Sequence, residues 1–125
     1  MSKRIAPIIV GNWKSTPKAL NEGIKFIKQL EKKLAPLSRT LPKKSYYLAV
    51  PEIFIPSLAD LAIKGFIGAQ TIPGTTLGQM TGQTTPSQLI SGGASFTLLG
   101  HSEVRARGET VEERSEKALA SLTLR

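Results

Sequence analysis

The stretch Ser95-Phe96-Thr97-Leu98-Leu99-Gly100-His101-Ser102-Glu103 decides how this chain reads. A short run carrying Phe96, Leu98 and Leu99 ends at a glycine, and the only histidine of the chain follows at once. Residues 95–99 have the length and apolar character of a buried strand, so the polar triplet His101-Ser102-Glu103 stands at a strand's C-terminal end. The same pattern recurs upstream. Residues 5–10 are apolar and β-branched, end at Gly11, and read as a strand buried on both faces, with Asn12 and Lys14 just beyond it. Tyr46–Val50 reads as a second strand closed by Pro51, and residues 66–70 as a third whose last residue is Gln70.

Helical patterns fill the intervals. Leu20, Ile24, Ile27, Leu30 and Leu34 recur at three- and four-residue spacing, one face of an amphipathic helix, with Thr16 and Pro17 as its expected N-cap and first residue. Residues 56–62 predict a short helix stopped by Gly65. Residues 87–90 predict a helical turn introduced by Pro86. Thr110 caps a last helix whose Glu112, Glu113 and Glu116 lie near the positive end of its dipole. Residues 71–84 are Gly/Thr-rich, without periodicity, and longer than an ordinary connection, which marks a functional loop or a disordered one.

The order is thus β-α-β-α-β-α-β-α, which argues for a parallel sheet with right-handed crossovers. Four such units fit either an open four-stranded sheet or half of an eight-stranded barrel, and length does not choose between them. Composition narrows the function. The chain has 125 residues, no cysteine and one histidine, so disulfides, thiol chemistry and a histidine-based metal site are not expected. No apolar run approaches the roughly 20 residues needed to span a bilayer, and no signal segment is recognisable. These features predict a cytoplasmic protein without membrane partner, metal or cofactor. The net charge of +8 is uneven: residues 1–64 hold 12 Lys/Arg against 4 Asp/Glu, residues 65–125 hold 5 against 5. Lys18, Lys25, Lys28, Lys32 and Lys33 spread along one amphipathic segment with no aromatic platform between them. This reads as a solvated basic face rather than a nucleic-acid site.

Asn12, Lys14, Gln70 and His101-Ser102-Glu103 all follow strand ends. In parallel barrels the active site is assembled on that face from loops after different strands. A lysine there offers a fixed cation to a phosphate or a developing oxyanion, although Lys14 alone reads equally as one more surface lysine. His101 alone reads more often as a hydrogen-bonded structural histidine than as a catalyst.

Their surroundings carry more information. Val10-Gly11-Asn12-Trp13-Lys14 resembles the opening strand-and-loop signature of triosephosphate isomerases, and Gly68-Ala69-Gln70 that family's third-strand ending. Thr81-Gly82, within Gly78-Gln79-Met80-Thr81-Gly82-Gln83, resembles its long third loop. Leu99-Gly100-His101-Ser102-Glu103-Val104-Arg105 resembles its fourth-strand signature, and Gly108-Glu109-Thr110 through Lys117-Ala118-Leu119 its fourth helix. The matches run in family order across essentially the whole chain. Three positions depart from the pattern: Thr71 stands for asparagine, Gln83 for glutamate, and Val104 for the first of two arginines.

The resemblance implies residues 1–125 of an α/β (β/α)8 barrel as one unit, its N-terminal half, with strands one to four and helices one to four. It implies an aldose–ketose isomerase, an intramolecular oxidoreductase of glycolysis and gluconeogenesis, interconverting dihydroxyacetone phosphate and glyceraldehyde 3-phosphate through an enediolate. Asn12 and Lys14 would bind the phosphorylated triose, and Lys14 would neutralise phosphate and enediolate charge. His101 would be the catalytic electrophile, a neutral imidazole at a helix N-terminus, an arrangement for which this enzyme family is itself the standard example. Glu103 would sit beside Lys14 in support, and Thr81 would brace the partner's site across a homodimer formed by the 71–85 loop. The family's glutamate base, its phosphate lid and its later phosphate-binding amides match nothing in residues 1–125. Residues 1–125 by themselves are therefore expected to be inactive, and marginally stable or self-associating, because an open half barrel leaves two strand edges unpaired. Two alternatives remain: one subunit of a split barrel, or a non-enzymatic protein that binds nucleic acid or another anion.

Overall fold

A computed structural model of the chain describes residues 7–72 and 81–124. Strands β1 (Val10–Asn12), β2 (Tyr46–Val50) and β3 (Gly65–Ala69) form a parallel sheet in the order β1-β2-β3. The register pairs Val10 with Tyr47, and Tyr46 through Val50 with Gly65 through Ala69. Helix α1 (Leu20–Leu34) crosses from β1 to β2, and a 3-10 turn with α2 (Ile55–Leu58) crosses from β2 to β3. Then come α3 (Pro86–Ser91), α4 (Ser102–Ala106) and α5 (Val111–Thr123). Sequential strands that lie side by side and parallel, each pair joined through a helix, are the expected βα repeat.

The core lies between the sheet and its helices. Ile27 of α1, Leu48 and Val50 of β2, Ile55 and Leu58 of α2, and Ile67 of β3 are all buried. Leu20, Ile24, Leu30 and Leu34 pack against that cluster, so the helical stripe seen in the sequence is the face that α1 buries. Gly23 lets Trp13 approach this helix: a Cβ there would stand 3.2 Å from the indole ring, which also meets Phe26 edge-on at 5.3 Å.

Several expectations need correction. The first strand begins at Val10 rather than covering residues 5–10; residues 1–6 lie outside the described residues. It is not buried on both faces, since Val10 is 48% exposed and Ile8 and Ile9, just before it, are 72% and 62% exposed. The sheet order leaves β1 an edge with a neighbour on one side only, so nothing among the described residues covers its outer flank. Thr16 does not cap α1. Its hydroxyl and amide both donate to Trp13 O, closing the loop, and the helix starts at Leu20 after an extended Ala19. Gly65 does not stop the second helix, whose α-helical part ends at Leu58; it opens β3, which spans Gly65–Ala69 and so ends one residue before Gln70. The close approach of the Tyr46 ring, not a helix terminus, requires glycine at position 65.

Residues 95–99 pair with β3 in parallel as expected, but only as an isolated bridge between Ala69 and Thr97. Ser95 N–H donates to Ile67 O, Ala69 N–H to Phe96 O and Leu98 N–H to Ala69 O. This segment extends the sheet by one position and delivers His101 to the same end as the loops after β1 and β3. The capping boxes at Thr85–Gln88 and Thr110–Glu113 fix the starts of α3 and α5.

Candidate active site

The loop after β1 is held by short polar contacts. Asn12 Oδ1 accepts the Lys14 N–H at 2.8 Å, a side-chain-closed turn that lets Lys14 adopt a left-handed backbone with φ of 55°. That conformation is uncommon for a residue bearing a Cβ and costs on the order of 1 kcal/mol. Gln70, just past β3, donates through Nε2 to Lys14 O at 2.6 Å and to Ala49 O at 3.4 Å. The three strand ends are thereby tied together, and the lysine's direction is set by contacts from two of them.

Lys14 Nζ donates to Glu103 Oε1 at 2.9 Å. The Lys14 ammonium, first by hydrogen bond and then by charge, holds the Glu103 carboxyl below its ordinary value. Both side chains are more than half exposed, so the pair adds little to stability. Its effect is to place a cation beside His101.

His101 is the N-cap of α4. Its Nδ1 accepts the Glu103 N–H at 3.2 Å. A nitrogen that accepts carries no proton, so the neutral ring holds its proton on Nε2 and offers a donor there. Asn12, Lys14, Gln70, His101, Glu103 and Arg107 all line one polar cavity of about 120 Å³. A cation and an imidazole donor in one small open cavity suit an anionic substrate that develops charge on oxygen.

The family model described as triosephosphate isomerase matches residues 7–124. The chain belongs to the triosephosphate isomerase family. Triosephosphate isomerase of Bacteroides fragilis is 36% identical over 118 residues, 92% of this chain and 45% of its own length. That of Phocaeicola vulgatus is likewise 36% identical over 118 residues, with the same coverage. That of Citrifermentans bemidjiense is 36% identical over 119 residues, 93% of this chain and 45% of its own. The chain spans about half the length of the curated relatives it matches. The family is one of isomerases on an α/β barrel, and the parallel sheet described above accords with an arc of that triosephosphate isomerase barrel.

Of the residues singled out from the sequence, Asn12, Lys14, His101 and Glu103 meet at this cavity. Thr81 does not line it. It is exposed, in a turn with Gly82. Residues 73–80 of the same loop lie outside the described residues. Two contributors went unassigned in the sequence reading. Gln70 was visible as a polar strand-ending residue, but its two carbonyl partners come from separate strands. Trp13 was visible inside a motif, yet its packing on α1 needs the tertiary structure. Among the described residues, no cluster of three His, Asp or Glu could hold a metal, and no helix is long and apolar enough to cross a membrane.

Proposed function

We propose that this chain contributes the substrate-gripping and electrophilic part of a triosephosphate isomerase site, acting on dihydroxyacetone phosphate and glyceraldehyde 3-phosphate. The observation that carries the reading is the meeting of Lys14 Nζ, an imidazole with its proton on Nε2, and Asn12 at the C-terminal end of one parallel sheet. A base removes the proton from the carbon next to the carbonyl, and negative charge develops on the carbonyl oxygen. The Lys14 ammonium and the His101 N–H stabilise that charge, and the imidazole then carries a proton between the two oxygens. A neutral donor suits this step because its acidity lies closer to that of the enediol. Glu103 holds Lys14 in place and yields part of it when an anionic substrate arrives. The base, a glutamate in this family, has no match among residues 1–125. Residues 1–125 constitute the N-terminal half of the barrel in this reading.

The reading extends to a cytoplasmic homodimer of glycolysis and gluconeogenesis, in contact through the 71–85 loop with Thr81 reaching the partner's site, and with no nucleic-acid, membrane or cofactor partner. The exposed outer edge of β1, with Ile8, Ile9 and Val10, supports pairing with a further parallel strand.

Two measurements test it. Dihydroxyacetone phosphate titrated against the chain should shift the His101 imidazole signals to saturation, and Lys14→Met should abolish the shift. In a coupled isomerase assay from a host lacking its own enzyme, any conversion should fall about 100-fold or more in His101→Ala, as when a preorganised donor is removed. No saturable shift together with no His101-dependent conversion would overturn the reading. Strongly salt-dependent binding to unrelated DNA would replace it with an anion-binding role.

A further inference from the structure

Glu109, three residues beyond α4, is a buried carboxylate, its side chain 3% exposed. Two cations enclose it. Lys117 Nζ donates to Oε2 at 2.5 Å, and Arg114 Nε stands 3.3 Å from Oε1 without the alignment of a hydrogen bond. Lys117 is itself buried. None of the three lines the cavity of Lys14 and His101, and the mechanism above uses none of them.

The arginine stem touches something that the mechanism does use. Gly100, immediately before His101, has φ of 69°, a left-handed conformation that favours glycine. A Cβ there would stand 2.7 Å from Arg114 Cδ, so the arginine's methylene stem fills the space a side chain would take. Arg105 Nε donates to Gly100 O at 3.0 Å. The peptide that aims His101 into the site thus meets two arginines. One of them, Arg114, is ion-paired with a buried carboxylate on the α4–α5 connection.

We propose that Arg114, held by Glu109, is a positioning residue for His101. Its stem blocks rotation of the Gly100–His101 peptide, and this keeps Nδ1 on the Glu103 N–H and the ring proton on Nε2. The proposal rests on His101 being the electrophile, but its readout needs no turnover. Glu109 and Lys117 act one step further out, on the arginine rather than on the histidine. The physical logic is that glycine at a left-handed position is loose by nature, and the looseness is removed by packing instead of by a side chain of its own.

The single histidine makes the test direct, because labelled histidine gives one imidazole signal set from the whole chain. Long-range proton–nitrogen spectra report which ring nitrogen carries the proton. The unmodified chain should show the Nε2-protonated tautomer alone. Arg114→Ala should give a mixture, with at least a tenth of the ring protonated on Nδ1, whereas Arg114→Lys, which retains the methylene stem, should restore the single tautomer. Glu109→Gln should fall between. Ile27→Ala, a buried core change on α1 that does not line the cavity of Lys14 and His101, serves as the control for loss of stability. An unchanged tautomer in folded Arg114→Ala, or the same mixture in Ile27→Ala, overturns the proposal. Should Arg114→Ala fail to fold, Glu109→Gln decides by the same criterion. A tautomer change with neither triose phosphate binding nor His101-dependent conversion would uphold the positioning role and overturn the functional reading, so the two failures are distinguishable.

Discussion

Placing one methyl group at Gly68 would strike the pairing that carries His101 into the site. A Cβ there would meet Phe96 Cδ1 at 2.5 Å, and the Phe96 carbonyl oxygen closer than that. Ordinary contact begins at 3.4 Å, so β3 and residues 95–99 would have to separate by about 1 Å. The obstacle includes backbone oxygen, which cannot swing aside like the end of a long side chain. The Ala69 N–H to Phe96 O bond, now 2.9 Å, would open beyond hydrogen-bonding range. Overpacking costs about 1–3 kcal/mol, and a buried N–H left without its acceptor about 1–3 kcal/mol. Gly68→Ala should therefore lose about 3–4 kcal/mol, a large share of a small domain's stability of about 5–15 kcal/mol. Urea unfolding followed by the fluorescence of Trp13, the chain's one tryptophan, measures that loss, and hydrogen exchange at the Ala69 amide localises it. In an active assembly, a 1 Å displacement of His101 should also cost about 100-fold in rate. A loss below about 1 kcal/mol with Ala69 still protected would refute the reasoning, because the sheet would then have absorbed the methyl group without opening.

Two further outcomes are expected. Lys14→Gly should relieve the left-handed backbone and match or slightly exceed the parent in urea unfolding, by up to about 1 kcal/mol, while losing the triose phosphate response of His101; a clear drop in stability would show that φ of 55° is not strained here. Tyr46 is buried and its hydroxyl donates to Glu31 at 2.6 Å, and burial first, then the Glu31 hydrogen bond and charge, push its phenol well above the ordinary value near 10. A raised folded-state pKa gives stability that is whole below pH 10 and drains away as pH rises through the folded value, so unfolding free energy should fall steadily above pH 10, and Tyr46→Phe should flatten that slope while costing about 1.5–3 kcal/mol at neutral pH.

The Lys14, His101 and Glu103 neighbourhood was legible before any coordinates because its parts are strand-end residues in short motifs, and parallel strands carry such residues to one face. The helical stripe of α1 was equally legible, since periodicity reports the buried face of a helix directly. Errors came where one residue had two local uses. Thr16-Pro17 has the chemistry of a helix start, but the hydroxyl closes the Trp13 turn instead. Gly65 has the chemistry of a helix stop, but its bare Cα makes room for a ring on the neighbouring strand.

From sequence alone came the βα alternation, the family and the set of polar residues at strand ends, because each is written in local order: spacing, breakers and contiguous motifs. Tertiary structure alone decided the contacts that no motif announces. Gln70 reaches the Lys14 carbonyl across 56 positions, and Arg114 fills the flank of Gly100. Contacts of that kind depend on strand register and helix rotation, which the whole core sets together, and no short stretch of chain encodes them by itself.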